Sequence, residues 1–168
     1  TASDLDALLS SWIGAEGPIS VFDLSGIPTA IVDDMVGAVL RILYDAVFWG
    51  RVKQEGGRER PLLLVLEEAH VYLSAQSKSR AATAARRIAK EGRKYGVGLM
   101  LVSQRPSEVD PTILSQCGTV IALSLTNDSD RGQVTSCASD NLKGLFSMLP
   151  VLRTGEAVPA VTAAVTAM

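Results

Sequence analysis

Five consecutive aliphatic residues, Leu62-Leu63-Leu64-Val65-Leu66, run without a spacer into Glu67-Glu68, and this run constrains the fold more than any other feature. An apolar run of that length, with no polar alternation, fits a strand of a parallel sheet covered on both faces. Pro61 opens it, after a polar, Gly-containing stretch from Arg51 to Arg60 that reads as a surface loop. Comparable runs at Ile19 to Leu24, Val97 to Val102 and Gly118 to Leu123 predict further buried strands. Segments with helical spacing lie between and around them. Asp4 to Ile13 places Leu5, Leu8, Leu9 and Trp12 on one side, with Ser3 as N-cap. Ala30 to Trp49 carries apolar residues (Ile31, Met35, Val39, Ile42, Leu43, Ala46, Val47) on more than one face, as a helix packed between a sheet and a neighbour does. Ser79 to Tyr95, closed by Gly96, and then Asn127 to Cys137 and Asn141 to Phe146 also read as helices. This alternation predicts an α/β fold with a mostly parallel sheet flanked by helices.

With 168 residues, 47% hydrophobic and 20% charged, the chain can bury one proper core. No stretch is long and apolar enough to span a bilayer, and the start has no signal-peptide pattern. Cys117 and Cys137 are not spaced as metal ligands and there is one histidine, so a zinc cluster is excluded. Free thiols in a reducing cytoplasm are expected. The net charge of -2 leaves any DNA contact to a local basic patch or to other parts of the protein. The first residue is Thr1, which raises the expectation of a fragment or a processed form.

The chemistry gathers at the strand ends. Ligands of open α/β sheets bind at the carboxyl edge, where Glu67 and Glu68 stand. In a P-loop ATPase the first such acid holds Mg²⁺, usually through water, and the second polarises the attacking water. Two solvated acids at a strand end would leave the same trace. The next strand ends in Ser103-Gln104-Arg105-Pro106, where the Gln104 amide is placed to reach a γ-phosphate or the attacking water, or simply to cap the turn that Pro106 sets. On the intervening helix, Ala81, Ala85, Ile88, Gly92 and Tyr95 form the buried seam, while Arg86, Lys90 and Arg93 fall on another face. That basic face is either solvated or offers an arginine finger to a neighbouring subunit. Gly92 inside a helix costs stability relative to Ala, which points to a close backbone contact there.

Taken together, Glu67-Glu68-Ala69-His70, Arg87 to Gly96, Ser103-Gln104-Arg105-Pro106 and Leu114 to Thr119 resemble the HerA family of hexameric, ATP-driven DNA translocases related to FtsK. Phe22 to Gly26 and Leu125 to Arg131 are similar to that family too, so the resemblance runs from about Leu5 to Glu156. It implies a RecA-like P-loop NTPase core in which residues 1–157 form the C-terminal part and 158–168 a tail. It implies that Glu67 is the Walker B acid on the metal side, that Glu68 is the catalytic glutamate and that Gln104 is the sensor. Arg93 matches a trans-acting finger, and Arg131 is a second basic residue able to face a nucleotide at an interface. His70 would order the loop after the acids, or serve as a structural histidine. ATP and Mg²⁺ are the implied cofactors. The implied partners are other copies in a homo-hexamer, duplex DNA, and a NurA-type nuclease or a defence effector, with no membrane.

Two departures accompany the resemblance. No Gly-x-x-x-x-Gly-Lys-Ser/Thr sequence is present, so the backbone cradle and lysine that hold phosphates are missing, and this chain alone is expected to be inactive. Residues 158–168 are Ala/Val/Thr-rich and uncharged, where the resemblance implies a strand and an arginine-bearing tail. The alternative reading is a nucleotide-free oligomerisation or scaffold module, which the missing phosphate loop favours and the intact Glu68, Gln104 and Arg93 disfavour. A DEAH-box helicase would carry a Ser-Ala-Thr-like signature where Ser103-Gln104-Arg105-Pro106 stands.

Overall fold

The computed structural model describes residues 4–13, 17–50, 60–74, 79–138 and 143–161. The chain divides into two units at Val32/Asp33. In the first, helix α1 (Leu5–Trp12) precedes a stretch without regular structure. Trp12 meets Phe22 edge-on, with ring centroids 5.3 Å apart. The Asp23 carboxylate accepts the Ser25 N–H at 2.9 Å and closes a tight turn, and that backbone hydrogen bond holds Asp23 below the ordinary carboxylate range. The buried strand expected at Ile19 to Leu24 does not form: Ile19 and Val21 are 80% and 86% exposed. A strand needs a neighbour to satisfy its backbone groups, and no described residue of this unit pairs with the segment. The proposed cap Ser3 and the loop residues 51–59 lie outside the described residues.

The second unit holds the sheet. Helix α2 (Thr29–Gly50) runs into it and buries Val36, Leu40, Leu43 and Tyr44, a seam narrower than the spread of its apolar residues predicted. Ile31 stays exposed. α2 meets helix α3 (Arg80–Glu91) at Gly37, where a Cβ would sit 2.7 Å from the Arg80 carbonyl carbon. The start of α3 is capped twice. Ser79 Oγ accepts the Ala82 N–H at 2.8 Å. Asp33, from α2, accepts the Arg80 and Ala81 N–H groups at 3.0 and 3.2 Å and the Ser79 hydroxyl. Burial works against ionisation of Asp33, but these hydrogen bonds together outweigh it and hold the carboxyl below its ordinary range.

Strands β1 (Leu62–Leu66) and β2 (Val97–Leu101) pair in parallel, with Leu62 opposite Val97 and Leu66 opposite Leu101. The hydrogen bonding continues past both strand ends, from Val102 N to Leu66 O at 2.9 Å and from Ala69 N to Val102 O at 3.0 Å. This crossover through α3 is the unit that the strand–helix–strand pattern predicts. α3 ends earlier than its sequence implied. Glu91 is its last residue, and Gly92–Tyr95 forms one tighter turn that closes on Gly96 at φ 79°. Gly92 makes the close approach its position implied, since a Cβ there would lie 2.7 Å from the Val97 carbonyl oxygen. The strands are less covered than their apolar runs predict: in β1 only Leu64 and Leu66 are buried, while Leu63 and Val65 are 61% and 49% exposed, and Met100 of β2 is exposed as well.

Beyond β2, the short helix α4 (Pro111–Leu114) leads to strand β3 (Thr119–Ala122). Helix α5 (Asp128–Cys137), helix α6 (Lys143–Phe146) and strand β4 (Val158–Val161) follow. β3 and β4 pair antiparallel, Thr119 opposite Val161 and Ala122 opposite Val158. The Ala/Val/Thr-rich end of the chain therefore begins as a strand. Ala122, Val134, Ala138, Phe146, Leu149 and Ala160 form a buried cluster beneath this pair. The architecture is α/β, with the parallel pair carrying the acidic strand end and the antiparallel pair built from the last third of the chain.

Candidate functional site

The site is made where β1 and β2 end. β1 delivers Glu67 and Glu68 at its carboxyl end, and β2 delivers Ser103 and Gln104 two and three residues past its own. Parallel pairing in register is what brings these tips side by side. Gln104 Nε2 donates to Glu68 Oε1 at 2.7 Å. His70 Nδ1 lies 3.4 Å from Glu68 Oε2 and 3.1 Å from Ser103 Oγ. The Glu68 carboxylate is thus contacted at both oxygens, from the neighbouring strand and from its own turn.

The backbone at Glu68 is left-handed, φ 47° and ψ 44°, the one such non-glycine among the described residues. That conformation is uncommon for a residue with a Cβ and costs of order 1–3 kcal/mol, so the surroundings must hold it. Two contacts do. The Tyr72 hydroxyl donates to the Glu67 carbonyl at 2.6 Å, and Ala69 N–H is tied to Val102 O. The Tyr72 phenol is pushed up to about 12, by burial first and then by the charges of Glu67 and Glu68, so it stays a donor across physiological pH. Sequence reasoning missed Tyr72 and Ser103. Tyr72 acts on a backbone carbonyl five residues away, and no side-chain pattern signals such a contact.

Glu67 and Glu68 both line a cavity of about 650 Å³, together with Ser103, Gln104, Asn127 and Asp130. Both carboxylates are exposed to it. This donor set fits a hydrated Mg²⁺, which keeps several waters and takes one or two carboxylates beside phosphate oxygens. It does not fit an ion enclosed by protein alone, since the described residues form no cluster of three or more His, Cys, Asp or Glu side chains.

Two buried carboxylates that the sequence did not single out brace the segments after Gln104, and one of them, Asp130, lines the cavity. Asp130 on α5 accepts the Ser107 N–H at 3.0 Å and its hydroxyl at 2.6 Å, anchoring the segment just after Gln104. Asp110 accepts Arg86 Nη1 at 3.1 Å and the Thr112 N–H at 2.7 Å. Arg86 is therefore a structural ion-pair partner and not part of a solvated basic face. The Cys117 and Cys137 thiols both line the cavity. Burial pushes both thiols up, away from thiolate reactivity.

Neither of the two arginines proposed for nucleotide contact is among the residues lining this cavity. Arg93 is exposed in the turn before β2, whereas Gln104 follows β2. The five residues of β2 span roughly 17 Å at about 3.3 Å each, so Arg93 sits at the opposite end of the sheet from Glu68. Arg131 stands in the first turn of α5 and turns back on it, donating to Thr126 O at 2.6 Å and pairing with Asp128.

No protein-family model matches the sequence. Among curated proteins, the chain is 41% identical over 143 residues to the DNA double-strand break repair helicase HerA of Sulfurisphaera tokodaii, a match covering 84% of this chain and 29% of that protein. HerA of Sulfolobus acidocaldarius matches at the same identity and coverage. That of Saccharolobus solfataricus is 37% identical over 143 residues, covering 84% of this chain and 28% of the relative. The chain thus spans under a third of the length of these relatives. Among solved structures, the genome packaging NTPase B204 of Sulfolobus turreted icosahedral virus 2, in complex with ATP-gammaS, superposes with a TM-score of 0.65 at 16% identity, covering 96% of this chain and 68% of that one. Its complex with AMPPCP gives 0.57 at 15% identity, covering 97% and 73%. At such identities the likeness is one of fold.

Proposed function

We propose, from the premise that this chain is HerA-family sequence over the segment it shares with those relatives, that it supplies the hydrolytic carboxylates of an ATP-driven, DNA-translocating motor. The observation that carries the proposal is the 2.7 Å hydrogen bond from Gln104 to Glu68 across adjacent strand tips, beside an open cavity. A scaffold has no use for a paired carboxylate and amide held at a ligand-binding edge on a strained backbone.

In this reading residues 1–157 are the C-terminal part of a RecA-like ATPase domain and 158–168 its tail. Bound ATP with Mg²⁺ would supply the phosphoryl group and neutralise its charge. Glu67 is the side chain placed to hold the ion, with Arg131 a candidate for nucleotide contact if its local pairing is released. Glu68 orients the attacking water and takes its proton. Gln104 fixes one Glu68 oxygen while its own carbonyl stays available to the water. Arg93, too far from Glu68 of its own chain, acts on the nucleotide of a neighbouring subunit, which requires a ring such as a homo-hexamer. The phosphate loop comes from a part of the motor outside this sequence.

Duplex DNA is the proposed track, and a NurA-type nuclease or a defence effector the proposed partner, working in the cytoplasm. Among the described residues no helix is long and apolar enough to cross a membrane. The test is ATP hydrolysis by the full-length protein with wild-type Glu68 and with Glu68→Gln. Loss of turnover with retained nucleotide binding is expected, and unimpaired turnover would remove Glu68 from the chemistry.

A further inference from the structure

The ring of His70 sits in the turn Ala69–Val71, its side chain 16% exposed, with Nδ1 directed between Glu68 Oε2 and Ser103 Oγ. An ionised carboxylate only accepts hydrogen bonds, so this contact is attractive when Nδ1 carries the proton. Ser103 shares that proton: its Oγ receives the Arg105 N–H at 3.1 Å and, 3.1 Å from Nδ1, is the nearer acceptor, so it seats the ring from the β2 side while Glu68 Oε2 lies at ion-pair distance, 3.4 Å, from the same nitrogen. Glu68 needs such a grip. Its side chain is half exposed, and its left-handed backbone does not fix the carboxylate by itself.

We propose that His70 is the positioning residue of Glu68. Its Nδ1–H, shared with Ser103 Oγ, attracts Oε2 from 3.4 Å while the Gln104 amide donates to Oε1 at 2.7 Å, so the carboxylate plane is set before an attacking water arrives. The inference rests on the reading of Glu68 as the water-orienting group. Partners of this kind typically change activity by about 10- to 100-fold when removed.

The experiment compares His70→Phe, His70→Asn, Ser103→Ala and Glu68→Gln in the full-length protein, by steady-state ATP hydrolysis, equilibrium binding of a fluorescent ATP analogue and thermal unfolding. Phe keeps the bulk of the ring without an N–H, whereas Asn offers an amide N–H near the position of Nδ1. His70→Phe is expected to lower kcat by about 10- to 100-fold, with KM and nucleotide affinity unchanged. His70→Asn is expected to recover most of that loss, and Ser103→Ala to fall between. If His70→Phe does not fold, a lowered kcat at unchanged KM in Ser103→Ala supports the proposal and an unchanged kcat overturns it. Full turnover in a folded His70→Phe, with Glu68→Gln inactive, overturns the His70 role alone. Equal loss in the Phe and Asn variants overturns its hydrogen-bond basis. Full turnover in Glu68→Gln removes the reading of Glu68 and this inference with it.

Discussion

Gln104 and Glu68 lie 36 residues apart and share a 2.7 Å hydrogen bond, joining the tip of β2 to the turn after β1. Everything proposed for the site depends on that junction, because it converts two unremarkable polar residues into a carboxylate of fixed orientation. Gln104→Ala leaves Glu68 Oε1 unpaired at an exposed site, so folding is little affected while the carboxylate loses direction. The expected result is a kcat of the full-length protein lowered by about 10- to 100-fold, with thermal stability unchanged. Steady-state kinetics beside a melting curve checks it, and unchanged kcat would contradict it.

Arg93 cannot serve Glu68 of its own chain, because β2 separates them. Arg93→Ala should therefore abolish turnover in uniform rings. Mixing Arg93→Ala with Glu68→Gln subunits should restore part of it, since some interfaces then combine an intact Glu68 with an intact Arg93. Activity against mixing ratio is the measurement, and no recovery in rings shown to be mixed would rule out action in trans.

Gly92→Ala separates two opposing effects. Helix propensity alone favours Ala by about 1 kcal/mol. The added Cβ, however, would stand 2.7 Å from the Val97 carbonyl oxygen, backbone that cannot yield without moving β2. The clash should win and destabilise the fold by about 1–3 kcal/mol. Thermal unfolding decides the sign.

How much of this was legible in the sequence follows from which interactions repeat. The run Leu62–Leu66 and its match at Val97–Leu101 gave away the parallel pair, since each strand has its own apolar signature, and Glu67, Glu68 and Gln104 followed from where those runs stop. Contacts between a side chain and a distant partner leave no periodic trace. Tyr72 on the Glu67 carbonyl, Asp130 on Ser107 and Asp33 on Ser79 were invisible for that reason. Ile19 to Leu24 misled because β-forming residues describe the capacity for a strand, whereas a ladder needs a neighbour. Arg86 misled because a helical face shows spacing but not that Asp110 is buried beside it.

Asp33 gives a pH-dependent consequence. Its carboxyl lies below the ordinary value of 3.8 in the folded protein. A lowered value means that the unfolded chain binds the proton more readily, so the stability from this carboxylate is present above the ordinary value and lost as pH falls through the folded one. Asp33→Ala leaves the Arg80 and Ala81 N–H groups without their acceptor and should cost roughly 1–3 kcal/mol at neutral pH. The gap between wild-type and variant melting temperatures should narrow as pH drops below about 4. A gap constant with pH would show that Asp33 acts by packing alone.

The most direct test of the central claim is steady-state ATP hydrolysis by the full-length protein, with and without duplex DNA, beside its Glu68→Gln variant and the 168-residue chain. The account predicts hydrolysis stimulated by duplex DNA in the full-length protein, abolished by Glu68→Gln, and absent from the chain that lacks a phosphate loop. Hydrolysis that survives Glu68→Gln, or none at all from folded and assembled full-length protein, would contradict it.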